Sequence, residues 1–377
     1  VRAEFAKPEI RALVKPGMRI AVGAGSRGIQ NLYTIVETTV NSLKELGAEP
    51  FIVSAMGSHG GGTEEGQREV LAGYGITEER LGVPVVTTVD TVYLGNCANG
   101  RPVWFDRAAY EADLIVPINR VKLHTDFVGP IQSGLCKMLV IGLGNHKGCS
   151  AVHEEAPEVF ADAIEETARL ILQKAPVGFG IAILENAYDK TYAVEAVPAE
   201  HLVEREKELV QIAKGNMPYI MLDEADVIVC GAIGKDISGA GFDPNILGRS
   251  SVLKQFVLHI PRYQRLVLCD VTPASHGNGI GVGLFDVITK KVAEQLDLES
   301  MYANAIACNC LGDASVPCTV DDEETAIRVA LKCCRNIDRD HPRIIRIQNT
   351  LHLGEIEVSE ALLDAVRADS RMSLIEN

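Results

Sequence analysis

Positive charge is scarce in this chain, with 36 Lys plus Arg against 51 Asp plus Glu and a formal net charge of −15 at pH 7. Non-specific binding to nucleic acid or to an anionic membrane needs a basic surface, so neither partner is expected. An anionic small molecule stays open, because a cleft can be locally basic. Apolar runs of membrane length are also missing: a helical span takes about 20 residues, and the stretch Met138 to Gly144 is much shorter. The ten cysteines lack the two-plus-two spacing of zinc and iron–sulfur sites, with Cys308/Cys310 and Cys333/Cys334 set too close together. Cys136, Cys230 and Cys269 stand in or beside apolar runs, where a reduced thiol packs as a small hydrophobe. A chain this long needs no disulfide staples and shows no targeting segment, so reduced thiols and a cytoplasmic location are expected. Internal repeats and low-complexity tracts are absent.

What is present is the balance of a packed protein: 377 residues, 47% hydrophobic and 23% charged, enough for two ordinary domains. Short apolar runs alternate with helical periodicity. Arg19–Val22, Phe51–Val53, Leu114–Pro117 and Met138–Ile141 read as buried strands, while Leu32, Ile35, Val36, Val40, Leu43 and Leu46 repeat at helical spacing. Thr63 before Glu64-Glu65 has the form of a helix cap. Further strands are expected at Asp226–Cys230, Arg265–Cys269 and Arg343–Ile347, and a helix at Val358–Val366. Strands separated by helices predict an α/β fold of two domains with mostly parallel sheets. The expected division is 1–217 for the N-terminal domain and 218–347 for the second, with the segment of about 348–377 packing back on the first.

Gly23-x-Gly25-x-x-Gly28 follows a strand and precedes a helix, as in a dinucleotide fingerprint. A dinucleotide ribose also wants a carboxylate at the end of the second strand, and Ser54-Ala55-Met56 stands there. Arg27 lies inside the turn and suits an anion. The turn is therefore open to three readings: an anion site, a plain tight turn, or an NAD site. Gly231-Ala-Ile-Gly234-Lys235-Asp236 fails as a Walker loop, because Val229 and Asp236 stand where glycine and Ser or Thr are required. It remains a strand leading into a Gly-Lys turn, either a phosphate contact or a surface lysine.

The densest chemistry runs from Asn119 to His153 and holds Arg120, Lys122, His124, Lys137 and His146 among glycines and apolar residues. Lys137 lies between Leu135 and Leu139, a setting that disfavours the ammonium and suits covalent work. His59, in Gly57-Ser58-His59-Gly60, sits on a loop after a strand, where α/β proteins place ligands. Histidines on two such loops are acid/base candidates.

Together these segments resemble the lactate racemases that carry a nickel-pincer nucleotide, most clearly over roughly the first 160 residues. In that family a lysine holds the cofactor through a thioamide and a histidine sixteen residues later ligates nickel. Sixteen residues after Lys137 stands His153, with His146 as the alternative ligand. The resemblance assigns acid/base roles to His59 and His124, the substrate carboxylate to Arg27 with help from Arg120 or Lys122, and cofactor contacts to Gly25, Ser26 and Lys235. It implies a racemase or epimerase of a small-molecule 2-hydroxy acid, with the cofactor site in the cleft between the two domains and the cofactor-synthesis enzymes as transient partners. Protein from a host without that synthesis is expected to lack the cofactor. Two departures stand out: the His124–Lys137 interval is longer than in the lactate enzymes, and Ala24 occupies the position of a family aspartate. Both imply a divergent branch acting on a substrate other than lactate. The rival readings are an NAD-dependent hydroxy-acid dehydrogenase and a non-catalytic nucleotide or organic-acid binder that has lost the cofactor.

Overall fold

The computed structural model of the chain describes residues 1–26 and 28–375. It divides into two compact units, Val1–Met217 and Pro218–Asn377. In the first unit a six-stranded sheet has the order β3-β2-β1-β6-β7-β8, made of β1 (Arg19–Ala24), β2 (Glu49–Ser54), β3 (Val85–Val86), β6 (Leu114–Arg120), β7 (Phe179–Glu185) and β8 (Thr191–Pro198). All its pairings are parallel except β7 with β8. A separate antiparallel hairpin joins β4 (Thr91–Asn96) to β5 (Pro102–Asp106). The central strands are covered on both faces, and every residue of β1 and β2 after the first is buried.

Helices cover this sheet as the periodicity predicts. The helix Leu32–Glu45 buries Leu32, Ile35, Val36, Val40 and Leu43, each worth roughly 1.5–3 kcal/mol of apolar transfer. Thr63 caps the helix Glu64–Gly73 by accepting the Gly66 amide at 3.2 Å. β2 and β6 flank β1 on opposite sides, so the strand order reverses at β1/β6, and in open α/β sheets ligands bind at the carboxyl ends of strands beside such a reversal. The loops after β1, β2 and β6 are the ones that carry Ser26, His59 and His124.

The second unit repeats the pattern, with a sheet of order β12-β11-β10-β9-β13-β14. It is formed by β9 (Val227–Cys230), β10 (Arg265–Leu268), β11 (Val287–Thr289), β12 (Cys318–Val320), β13 (Ile344–Ile347) and β14 (Glu357–Val358), parallel except for β14. The segment 348–377, for which a return to the first unit was expected, adds β14 to this sheet and buries Leu362 and Val366 in this unit's core. Val358–Val366 accordingly begins in a strand and becomes helical only from Glu360.

One strand expectation is corrected. Met138–Ile141 lies in a π-helical turn, Met138–Gly142, that continues directly from the short helix Leu135–Lys137. A four-residue run that is wholly apolar has the same composition in a strand and in a core helix, so periodicity cannot separate them. Among the described residues all ten cysteines are free thiols. No helix among them is long and apolar enough to cross a membrane.

Candidate active site of the N-terminal unit

His59 owes its place to a buried side chain that sequence reading passed over. Gln67, fully buried in the helix Glu64–Gly73, donates to the carbonyls of Gly57 (3.0 Å) and His59 (3.4 Å) and accepts from Ser54 Oγ (2.6 Å). The loop after β2 is thereby tied to its own strand and helix. The His59 imidazole projects to the surface, and its Nδ1 is hydrogen-bonded to Ser26 Oγ on the turn after β1. The carbonyl of Ser26 accepts from Tyr74 Oη at 2.9 Å. Ser54, where a dinucleotide site would carry a carboxylate, is spent on Gln67. Arg27, the expected substrate anchor, lies outside the described residues.

His124 is fixed differently. Lys122 and Ser133 exchange backbone hydrogen bonds at 2.9 and 3.1 Å, closing the loop between them at its base. Gln132 accepts the His124 amide (2.8 Å) and donates to Gly129 O (3.2 Å). The His124 ring stacks on Phe127 (4.3 Å, 27°), Phe127 meets Phe160 (4.8 Å), and Phe160 meets the edge of His153 (5.2 Å). A continuous row of rings thus joins two of the expected functional histidines. His124 Nδ1 accepts the Asp126 amide at 3.1 Å, and Nε2 lies 2.5 Å from Lys137 Nζ. The two ring nitrogens of His124 thus face different partners, the Asp126 amide on one side and the lysine nitrogen on the other.

Lys137 ends the short helix Leu135–Lys137, and the π-turn behind it packs onto the loops of the other two site residues. Gly142 is needed there, since a Cβ would fall 2.7 Å from Ala55 O and 2.7 Å from Met138 Sδ. Its carbonyl accepts the Gly57 amide at 3.0 Å. π-turns of this kind recur at functional sites because the extra residue re-aims the side chains around it.

His153 closes the helix Asn145–His153. Its Nδ1 donates to Cys149 O at 2.7 Å and lies 3.5 Å from Cys149 Sγ. The Cys149 hydrogen bond raises the His153 pKa against the effect of burial. Burial pushes the Cys149 thiol up, but the His153 contact outweighs it and the net shift is downward. The proton on Nδ1 leaves the Nε2 lone pair as the donor, which is how backbone carbonyls orient metal-binding histidines. His146 is exposed at the other end of the same helix, and no carbonyl is seen orienting its ring.

Arg120 is paired with Glu185, whose other oxygen accepts the Gln30 amide at 2.8 Å. This pair ties β6 and β7 to the turn after β1, and a substrate carboxylate at Arg120 would have to compete with a buried carboxylate. In the second unit, Lys235 sits after β9, its amide donating to Ser275 Oγ (2.8 Å) and its Nζ to Gly239 O (2.6 Å). Asp236 accepts from Thr272, making a polar turn at the carboxyl ends of β9 and β10.

Two buried carboxyls frame the lysine and His153 helices. Asp106 accepts from Asn145 Nδ2 (2.9 Å) at the start of the His153 helix, and burial pushes it up to about 6. Glu206 is fully buried in the helix Leu202–Asn216, accepts the Cys136 amide at 2.8 Å, and is pushed up by burial to about 7. A carboxyl with a folded pKa above its unfolded value binds more protons in the native state, so stability falls as pH rises between the two values. For Glu206 the window runs from 4.5 to about 7, corresponding to an effect on the order of 3 kcal/mol. Glu206→Gln should flatten the stability profile across that window in urea titrations. A slope as steep as the parent's would locate the titration elsewhere.

Residues 2–162 match the lactate racemase N-terminal domain family. The structure of the lactate racemase apoprotein from Thermoanaerobacterium thermosaccharolyticum is similar over 93% of this chain and 90% of that one, at 12% identity and a TM-score of 0.55. A Thermotoga maritima protein of the Northeast Structural Genomics Consortium is similar over 92% of this chain and 83% of its own, at 12% identity and a TM-score of 0.48. Among curated proteins no sequence matches.

Proposed function

We propose that this chain, whose residues 2–162 match the lactate racemase N-terminal domain family, is a racemase or epimerase of a 2-hydroxy acid. The observation that carries the reading is the 2.5 Å contact between Lys137 Nζ and His124 Nε2. It joins the residue expected to hold the cofactor to a residue expected to move the substrate's proton.

The residues fit a nickel-pincer nucleotide by the chemistry of their donors. No group of three or more His, Cys, Asp or Glu among the described residues is arranged to hold a metal ion by itself. A cofactor that brings its own sulfur and carbon donors asks the protein for one neutral imidazole, and His153 presents Nε2 in that tautomer. Lys137 would hold the pyridinium ring through an amide-type bond, and Gly25 and Ser26 would contact the nucleotide. When bound, the group supplies a reversible acceptor for the substrate's α-hydride. The side chains supply the rest. One histidine takes the hydroxyl proton as the carbon becomes planar, and the histidine on the opposite face returns a proton to oxygen after the hydride is delivered from the other side. The two enantiomers present their hydroxyls on opposite sides, which is why two bases are required. An imidazole with an unperturbed pKa near ~6.5 serves in either direction. Arg27 takes the substrate carboxylate, with Lys122 as second cation, while Arg120 holds the turn through Glu185.

Ser54, turned inward to Gln67, leaves the dehydrogenase reading without its ribose acid. A non-catalytic binder remains the alternative in a different class. The deciding experiment produces the protein with the cofactor-synthesis enzymes, then screens single enantiomers of 2-hydroxy and aldonic acids for inversion by chiral chromatography. Inversion of one substrate class without added NAD supports the reading. Protein that carries the Lys137 adduct and nickel yet inverts none of them would reduce it to a binder. A second outcome separates the two nickel candidates: His153→Ala should lose metal by at least about tenfold, measured per mole of protein, while His146→Ala keeps it. The reverse pattern would move the ligand to His146.

A further inference from the structure

We infer that Glu206 is the positioning residue that aims Lys137, replacing from a distant helix the cap that the lysine's own helix lacks. The inference rests on the attachment role proposed for Lys137. The helix Leu135–Lys137 starts after Gly134 with no side chain capping it locally. The first amides of a helix have no partner within it, and an end buried without one is costly. Glu206 Oε2 reaches in from the helix Leu202–Asn216 and accepts the Cys136 amide at 2.8 Å, while the Leu135 amide lies near enough to the carboxyl to favour its charge. From the other side Asn119 Nδ2 donates to Gly134 O at 2.8 Å, and that same carbonyl accepts the Met138 amide at 3.0 Å. Gly134 cannot be larger, because a Cβ would lie 2.5 Å from the Glu206 carboxyl carbon. The start of the lysine helix is thus held between two side chains from two other elements, and Lys137 follows one residue after the capped amide.

A buried glutamate is an expensive cap. Its Oε1 has no hydrogen-bond partner, and no cation is among the groups that shift it. The titratable groups facing it are the Cys136 thiol and, acting on that thiol, Glu165 and Arg169 of the helix Phe160–Lys174. Residues Phe179–Leu184 of β7, packed beside it, carry no ionisable group. A short side chain could cap a helix from its own N-terminus at less cost. Reaching it from the helix Leu202–Asn216 instead links the direction of Lys137 to the core of the unit.

The test reads amide hydrogen exchange at Leu135 and Cys136 in cofactor-free protein, together with adduct mass at Lys137 after production with the cofactor-synthesis enzymes. In folded Glu206→Ala, exchange at these two amides should rise at least about tenfold, and the adduct should fall by a similar factor. Glu206→Gln keeps an acceptor oxygen and should restore both. It should also remove the pH dependence of wild-type protection, which, corrected for intrinsic rates, falls between 4.5 and about 7 as opening wets the carboxyl. If Glu206→Ala does not fold, this pH profile alone decides: a Glu206→Gln profile identical to wild type overturns the inference. So does unchanged exchange in folded Glu206→Ala. Wild-type protein that shows the expected exchange but never acquires an adduct would overturn the attachment role of Lys137 and leave Glu206 as the cap of its helix.

Discussion

Alanine at His59 or at His124 lowers the rate of inversion by about 10²–10⁴-fold, in both directions, while nickel stays bound. In the proposed mechanism each histidine serves one face of the planar intermediate, so every turnover would use one as base and the other as acid, and removing either would slow both directions. His59 is the cleaner test. Its hydrogen bond is to Ser26 and its loop is held by Gln67, so its loss leaves the Lys137 helix untouched. His124 contacts Lys137 directly, and its alanine variant can also slow attachment. The two effects separate by measurement: adduct mass reports attachment, and single-turnover isotope exchange at the hydroxyl-bearing carbon reports chemistry. A His59 variant that keeps full inversion sinks the two-base assignment. A His59 variant that loses the adduct would place it in cofactor binding instead.

The sequence carried more of this site than of its supports. The strands, the helix Leu32–Glu45 and the Thr63 cap were legible because buried apolar spacing and capping chemistry are local. Lys137, His153, His59 and His124 could be singled out because their spacing resembles a family. Gln67, Gln132 and Glu185 were not, since each acts through a contact that only the fold creates. Glu206 left a trace. Leu202, Val203, Leu209, Val210 and Ala213 form the buried face of its helix, and a glutamate falling on that stripe is a charge where packing wants none. Met138–Gly142 was misread because a short, wholly apolar run has no period to measure. The tail after Ile347 was misplaced for a related reason: β14 pairs with β13 over only a short register, too little to announce itself in sequence.

Removing Lys137 is the more severe change, because it deletes the proposed point of attachment rather than a proton carrier. Lys137→Ala and Lys137→Arg should both show no cofactor mass on the protein and no measurable inversion. Arginine is the informative variant. It keeps the positive charge and length, but its guanidinium stays protonated in proteins and cannot act as the nucleophile that an uncharged amine can. A contact based on charge alone would survive in arginine; a covalent bond would not. Stability should change little, since Lys137 is only half-buried and its helix start is held through backbone amides by Glu206. Melting temperatures within a few degrees of wild type would show that the loss is chemical. Lys147 provides the internal control: its ammonium lies over the Trp104 ring at 4.9 Å, in the same stretch of chain, and it should carry no adduct. Full inversion by the arginine variant, or an active preparation whose Lys137 is unmodified, would rule out covalent attachment at this residue. The site would then have to hold any cofactor by His153 and the nucleotide contacts alone.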